Sequence, residues 1–410
     1  METAATLTPE QSRRYEKTLV AILFFAWGTV FLDRMSLLYL GPYIAPEFHL
    51  THEQVGGLAS ILAIFWAIST LFFGALSDRF GRRVILIPSV FAFSILSGLS
   101  GLAHSYHQLL LIRALMGIAE GPTWSIMTAL IEESSEKSRR GRNVGLVVSA
   151  AALVGLALAP ILSTQVAARS SWRWAFLVAG IPGIVMGFLI WKFVKEPPRL
   201  AGSDVAHEKP SLAGYFSILR YRNIWLSCIA ATGFMCWLFL LNVFAPLYIT
   251  RVAHQEPTTA GFLLGAGGLG SFFIGFIFPA LSDRVGRKPV LLTLAGLTTL
   301  TPLALLVPSL YAHPWLLAAI LFVTNGGQGL AALIMVLVPT ESVPAQYAAT
   351  SIGLATLVGE IFGATAAPYL GGVFADTYGL GITMWMSAAG TLLIFLVTLF
   401  LKRTAIRPHD

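Results

Sequence analysis

The chain has 410 residues, 56% of them hydrophobic and only 11% charged, with a mean hydropathy of +0.75. Soluble domains run at about 45–50% apolar and about 25% charged, so a water-soluble enzyme, a disordered chain and a fibrous repeat are excluded. The net charge of +7 could point to nucleic acid, but in a membrane protein it is also what basic cytoplasmic loops produce.

Residues 1–16 are polar and lack the apolar stretch and cleavage site of a signal peptide. Apolar segments then recur at 18–42, 55–76, 84–103, 108–131, 143–167 and 173–194. Six more follow at 223–250, 259–281, 289–309, 314–338, 347–371 and 380–401. A spanning helix needs about 20 apolar residues, so the pattern predicts an all-α membrane protein of twelve transmembrane helices in two pseudo-symmetric six-helix bundles. The expected organisation is a bundle at 1–194, a cytoplasmic linker at 195–221 and a second bundle at 222–410. Cys228 and Cys236 lie eight residues apart in one segment. A helix separates them by about 12 Å, too far for a disulfide.

Placing both termini inside puts 22 of the 27 bases on the cytoplasmic side, against Arg169, Arg173 and Arg251 outside. Such asymmetry orients polytopic proteins, and it explains the net charge without a nucleic-acid partner. The remaining two bases, Arg34 and Arg113, fall inside spans.

Seven residues repeat across the halves. Ser77-Asp78-Arg79-Phe80-Gly81-Arg82-Arg83 follows the second span, and Ser282-Asp283-Arg284-Val285-Gly286-Arg287-Lys288 follows the eighth, 205 positions later. A tight basic turn explains one copy. Two at half-length offset indicate a duplicated bundle, as in one class of secondary transporter. Gly117 with Gly121, Gly261 with Gly265, and Gly267 with Ser271 supply small faces for close helix crossing.

Few carboxylates fall within spans: Asp33, Glu120 and Glu360. A charge at mid-span costs roughly 2.5–3.5 kcal/mol even on the lenient insertion scale, so such groups pair, face a cavity or take a proton. Asp33-Arg34 in the first span and Arg113 with Glu120 in the fourth are the sharpest signals. A purely structural ion-pair network is the alternative. Arg113 and Glu120 share a face but lie about 10.5 Å apart along the axis, too far to pair directly. Tyr39, Trp27, Trp124, Asn242, Asn325 and Gln328 are further candidates to line a cavity, the last two being three apart on one helical face. Glu360 is a candidate for gating or for a second proton site.

Gly74-xxx-Asp78-Arg79-x-Gly81-Arg82-Arg83 resembles the signature loop of the major facilitator superfamily, and the resemblance covers the whole chain. It implies a cytoplasmic gate formed by these residues, with Asp283 and Arg284 in a second copy. Pro279 replaces the leading glycine there, so the second copy is expected to latch more weakly. The run Arg113-Ala-Leu-Met-Gly117-Ile-Ala-Glu120-Gly121-Pro122, with Asp33-Arg34, resembles the anion:cation symporters, which include sugar-acid transporters. The resemblance implies that Arg34 contacts a substrate carboxylate, that Asp33 and Glu120 exchange protons, and that Arg113 modulates Glu120 or joins the anion site. Glu196-Pro197-Pro198-Arg199, with the same Asp-Arg and Glu, also resembles Spinster-type lipid transporters.

The expected function is proton-coupled symport of an organic carboxylate by a monomer in a bacterial plasma membrane, with the bilayer, protons and the substrate as partners. Proton-coupled export of a lysolipid or drug is the alternative. No phosphate-binding loop, metal-ligand motif or catalytic domain is evident, so no cofactor, metal or enzymatic activity is expected.

Overall fold

The computed structural model describes residues 9–136, 138–196, 218–344 and 347–402, apart from the side chains at 9, 71, 74, 75, 78 and 349. Most of the predicted linker, with Pro197, Pro198, Arg199 and Lys209, lies outside the described residues, as do Lys137, Arg403 and Arg407. Among the described residues, twelve long helices follow one another. In the first half they are α1 (Pro9–Tyr39), α2 (His52–Phe80), α3 (Arg82–Ser100), α4 (Tyr106–Ser134), α5 (Arg140–Arg169) and α6 (Trp172–Phe193). The second half has α7 (Arg222–Arg251), α8 (Pro257–Val285), α9 (Arg287–Leu305), α10 (Pro314–Glu341), α11 (Thr350–Tyr378) and α12 (Gly381–Leu399).

Eleven of these are long and apolar enough to cross a membrane. The twelfth, α4, has 29 residues and reaches about 43 Å, ample for a hydrocarbon core of about 30 Å. Its apolar character is broken by Arg113 and Glu120 near its middle, so the helix that fails the hydropathy test carries two of the candidate site charges.

Chain contacts define two compact units, Met1–Leu50 with Ile61–Ala201, and Thr51–Ser60 with Gly202–Asp410. The first turns of α2, Thr51–Ser60, group with the second unit. Within that unit the Asp376 carboxylate accepts the His52 and Glu53 backbone N–H groups, each at 2.9 Å, and lies 2.7 Å from His52 Nδ1. It satisfies two amides that a helix start leaves without partners.

The same devices recur inside each unit. In the first, a π-helical segment, Ala151–Leu158, interrupts α5 beside α1, where a Cβ on Gly155 would lie 2.6 Å from Phe31 Cβ. In the second, a π-helical segment, Gly359–Ala366, interrupts α11 beside α7, where a Cβ on Gly359 would lie 3.2 Å from the Ala231 carbonyl oxygen. Gly81 and Gly286 adopt φ of 112° and 101° with ψ of 148° and 153°. Side chains rarely adopt that backbone region, which explains why both copies of the loop carry glycine.

Each glycine turn is followed by a clasp. Arg82 donates to Ser77 Oγ at 3.0 Å and to Glu133 at 3.0 Å, while Arg287 donates to Ser282 Oγ and to Glu341 at 2.6 Å. The next base closes on the last turn of the bundle: Arg83 on the Trp191 carbonyl at 2.5 Å, Lys288 on that of Leu399 at 2.6 Å. Despite Pro279, the second copy keeps its clasp, and the Pro279 carbonyl accepts the Ser282 hydroxyl at 2.6 Å.

At the other end of the first unit, Glu47, beyond the end of α1, accepts from Arg173 at 2.7 Å and from the Trp172 indole at 2.5 Å. The Arg173 hydrogen bond holds the Glu47 carboxyl below the usual carboxylate range. A lowered folded-state pKa contributes stability above the unfolded value, and that stability is lost as pH falls through the folded one. Glu47→Gln is therefore expected to flatten the acid limb of thermal stability measured between neutral pH and the lower carboxylate range. Gly81→Ala should cost about 1–3 kcal/mol and lower the thermal unfolding temperature in detergent, with Gly286→Ala behaving alike.

Candidate substrate and proton site

The charged candidates meet in the core of the first unit. Asp33, Arg34, Arg113 and Glu120 are all buried, none more than 3% exposed. Close approach of α4 to α2 makes this possible. A Cβ on Gly117 would lie 2.5 Å from the Leu62 carbonyl oxygen, and one on Gly121 would lie 2.7 Å from that of Trp66. The small pair lets the two backbones touch, carrying Arg113 and Glu120 inward.

Adjacent residues on α1 turn to different neighbours. Asp33 Oδ1 accepts the Ser97 hydroxyl of α3 at 2.8 Å. The Arg34 guanidinium lies over the Trp66 ring of α2, 5.3 Å from its centroid. Arg113 reaches across from α4 and donates to the Arg34 backbone carbonyl at 3.1 Å. As the helical spacing implies, Arg113 spends this bond on α1 and not on Glu120.

Glu120 interacts electrostatically with both Arg34 and Arg113, and Asp33 with Glu120 and Arg113. Among the described residues, neither Glu120 carboxylate oxygen nor Asp33 Oδ2 has a hydrogen-bond partner. A buried carboxylate left in that state is costly. Taking a proton or receiving a cationic neighbour relieves it. The four formal charges sum to zero, which is the inexpensive way to hold them at membrane depth.

The weaker candidates are dispersed. Trp124 packs on Trp27, ring centroids 4.8 Å apart, in the first unit's apolar core. Tyr39 is buried with its hydroxyl 3.5 Å from the Gly155 carbonyl. Asn242 donates to the Leu238 carbonyl of its own helix at 2.7 Å. Asn325 and Gln328 do not lie on one continuous helix, because α10 stops at Thr324 and resumes at Gly327. Asn325 Oδ1 turns back to the Gly327 N–H at 3.3 Å, while the Gln328 side chain packs where a Cβ on Gly275 of α8 would meet it at 2.6 Å. Hydroxyls replace the missing helical bonds: Thr298 accepts the Gly326 N–H and Ser271 that of Gln328. Glu360 is buried in the π-helical part of α11.

Of the gate residues, Gly74 and the Asp78 side chain lie outside the described residues. Arg79, Asp283 and Arg284 are exposed, Asp283 paired with Arg287. Two site residues escaped the sequence reading, Ser97 and Trp66. A serine in an apolar span and one tryptophan among ten carry no signal until the fold places them against Asp33 and Arg34.

The sequence profile described as Major Facilitator Superfamily matches residues 23–367. The chain belongs to the major facilitator superfamily. It is thus a multi-pass membrane transporter and not an enzyme. Among similar facilitators is a probable 4-methylmuconolactone transporter of Cupriavidus pinatubonensis, 31% identical over 69% of this chain and 67% of that one. The cis,cis-muconate transport protein of Acinetobacter baylyi is 27% identical over 98% of each. A bacterial homologue of the human lysosomal transporter Spinster, solved in an inward-facing and occupied conformation, superposes with a TM-score of 0.73. It is 18% identical, over 94% of this chain and 96% of that one, and shares the fold.

Ser97→Ala should leave Asp33 less well satisfied and lower stability by about 1–3 kcal/mol. Because Asp33→Asn removes the charge that the hydroxyl serves, the double variant should be less destabilised than the two single losses combined. Thermal unfolding of the purified variants checks both.

Proposed function

We propose that this facilitator is a proton-coupled symporter of an organic carboxylate, working by alternating access, with the site on α1 and α4. The observation that carries the reading is the buried neutral set of two arginines and two carboxylates, with neither oxygen of Glu120 hydrogen-bonded among the described residues. A substrate carboxylate brings one negative charge. Arg34 binds it, since a guanidinium offers paired donors to a planar anion. The set then carries an uncompensated charge at membrane depth unless an acid takes a proton. Glu120 is placed to do so, and its protonation releases Arg34 and Arg113 from its own charge. Binding and protonation therefore favour each other, and at least one proton accompanies each carboxylate.

Asp33, tied to Ser97, is the second proton-exchanging group. Trp66 beneath Arg34 helps to hold the guanidinium in place. Tyr39, Trp124, Asn242, Asn325 and Gln328 are secondary candidates for substrate contact, and Glu360 for gating. The Gly74–Arg83 segment with Asp283 and Arg284 serves as the cytoplasmic gate. The named substrates of the relatives support a carboxylate: muconate is a dicarboxylate, and methylmuconolactone keeps one carboxyl, in a carboxymethyl group attached to its ring. Base asymmetry supports cytoplasmic termini, and the bacterial relatives support a plasma-membrane location. Export of a lysolipid or drug is the second reading, supported by the fold shared with the Spinster homologue and by the resemblance at Asp33-Arg34, Glu120 and Glu196-Pro197-Pro198-Arg199.

Uptake of unsaturated dicarboxylates, aromatic acids and sugar acids into proteoliposomes under an imposed inward proton gradient tests the proposal. Accumulation above the no-gradient level is expected for at least one carboxylate and not for its amide. Arg34→Ala should lower it by about 100-fold or more, in keeping with loss of a desolvated charge-assisted contact. Unchanged uptake in that variant would remove Arg34 from the site.

A further inference from the structure

A pocket of about 400 Å³ opens in the first unit where the glycine turn meets the last turn of α6, lined by Phe80, Arg83, Val84, Ile87, Pro88 and Glu196. The Phe80 and Val84 side chains are more than half exposed, as is neighbouring Trp191. It lies at one end of two spans, α3 and α6, on the side where the bases concentrate. Its apolar wall therefore faces the lipid boundary and not bulk water.

Charge in the pocket is unevenly satisfied. Both Glu196 oxygens accept backbone N–H groups, from Arg82 at 2.6 Å and Arg83 at 2.9 Å. That carboxylate is spent on capping the start of α3. Arg83 gives one nitrogen to the Trp191 carbonyl, while its buried Nε has no hydrogen-bond partner among the described residues. Arg79 lies over the ring of Phe80, one of the pocket's lining residues, and Lys192, next to Trp191 in the chain, lies over that of Phe193, so two more cations are held on aromatic faces at this end of the two spans. An apolar wall, an unsatisfied guanidinium N–H and a cationic rim at a span end match one chemistry. It is a phosphodiester anion attached to acyl chains.

We propose that this pocket seats an anionic glycerophospholipid, its phosphate on Arg83 and its first acyl methylenes along Val84, Ile87 and Pro88. A free phosphate would leave that apolar wall without a partner. Because Arg83 and Glu196 hold the turn at Gly81, the lipid braces the loop that the gate uses. Occupancy stabilises the junction of α3 and α6.

The test is thermal unfolding of the full chain in detergent, with phosphatidylglycerol, phosphatidylcholine or inorganic phosphate added. The expected result is a larger upward shift with phosphatidylglycerol than with phosphatidylcholine, and none with phosphate. Arg83→Gln should bring the phosphatidylglycerol shift down to the phosphatidylcholine level. Val84→Asn, which alters an exposed residue on the acyl path and leaves the turn intact, should reduce it as well. Equal shifts from the two lipids would overturn the proposal, as would a shift from phosphate matching that from phosphatidylglycerol. A phosphatidylglycerol shift unaffected by both variants would also overturn it.

Discussion

The cost of holding a charge where there is no water is the constraint on which the rest of this molecule depends. At mid-span each charge costs roughly 2.5–3.5 kcal/mol on the lenient scale, and four of them sit in the core of one bundle with almost no exposure. They persist because they sum to zero and because neighbours absorb part of the penalty. Ser97 donates to Asp33, Trp66 underlies Arg34, and Arg113 uses the Arg34 carbonyl. Such an arrangement is balanced only while nothing is added. Introducing an anion or a proton alone unbalances it, and introducing both restores it, which is the electrostatic basis of the coupling proposed above.

Around that core the two units use the same parts at the same positions. A glycine with positive φ turns the chain after α2 and α8, and the base that follows clasps a serine on one side and a glutamate on the other. A π-helical segment lets α5 fit against α1 and α11 against α7. The charge is not duplicated. In the first unit Arg34 and Arg113 are buried with Asp33 and Glu120, while no base occurs between positions 289 and 401, the stretch that contains Glu360. Duplication accounts for the scaffold, while the buried set of four charges belongs to one half.

Much of this was legible from residues alone, for identifiable reasons. Hydropathy located the helices because a lipid-facing surface leaves no choice of side chain. The rarity of charge in the spans made Asp33, Arg34, Arg113 and Glu120 conspicuous. What stayed hidden depends on partners far apart in sequence: Ser97 lies 64 residues from Asp33, and Glu133 lies 51 from Arg82. The three-residue spacing of Asn325 and Gln328 implies one helical face only in a continuous helix, and α10 is interrupted before Gly327. Hydroxyls on α8 and α9 make an interruption tolerable there, and nothing local in α10 announces them.

The coupling account is tested most directly by comparing net uptake with exchange in Glu120→Gln. Glutamine resembles the protonated acid in shape and neutrality, so the variant should still exchange internal for external substrate at equal proton concentrations. It should fail to accumulate substrate when an inward proton gradient is imposed. Gradient-driven accumulation at the wild-type level in Glu120→Gln would contradict the central claim that this buried carboxylate carries the coupled proton.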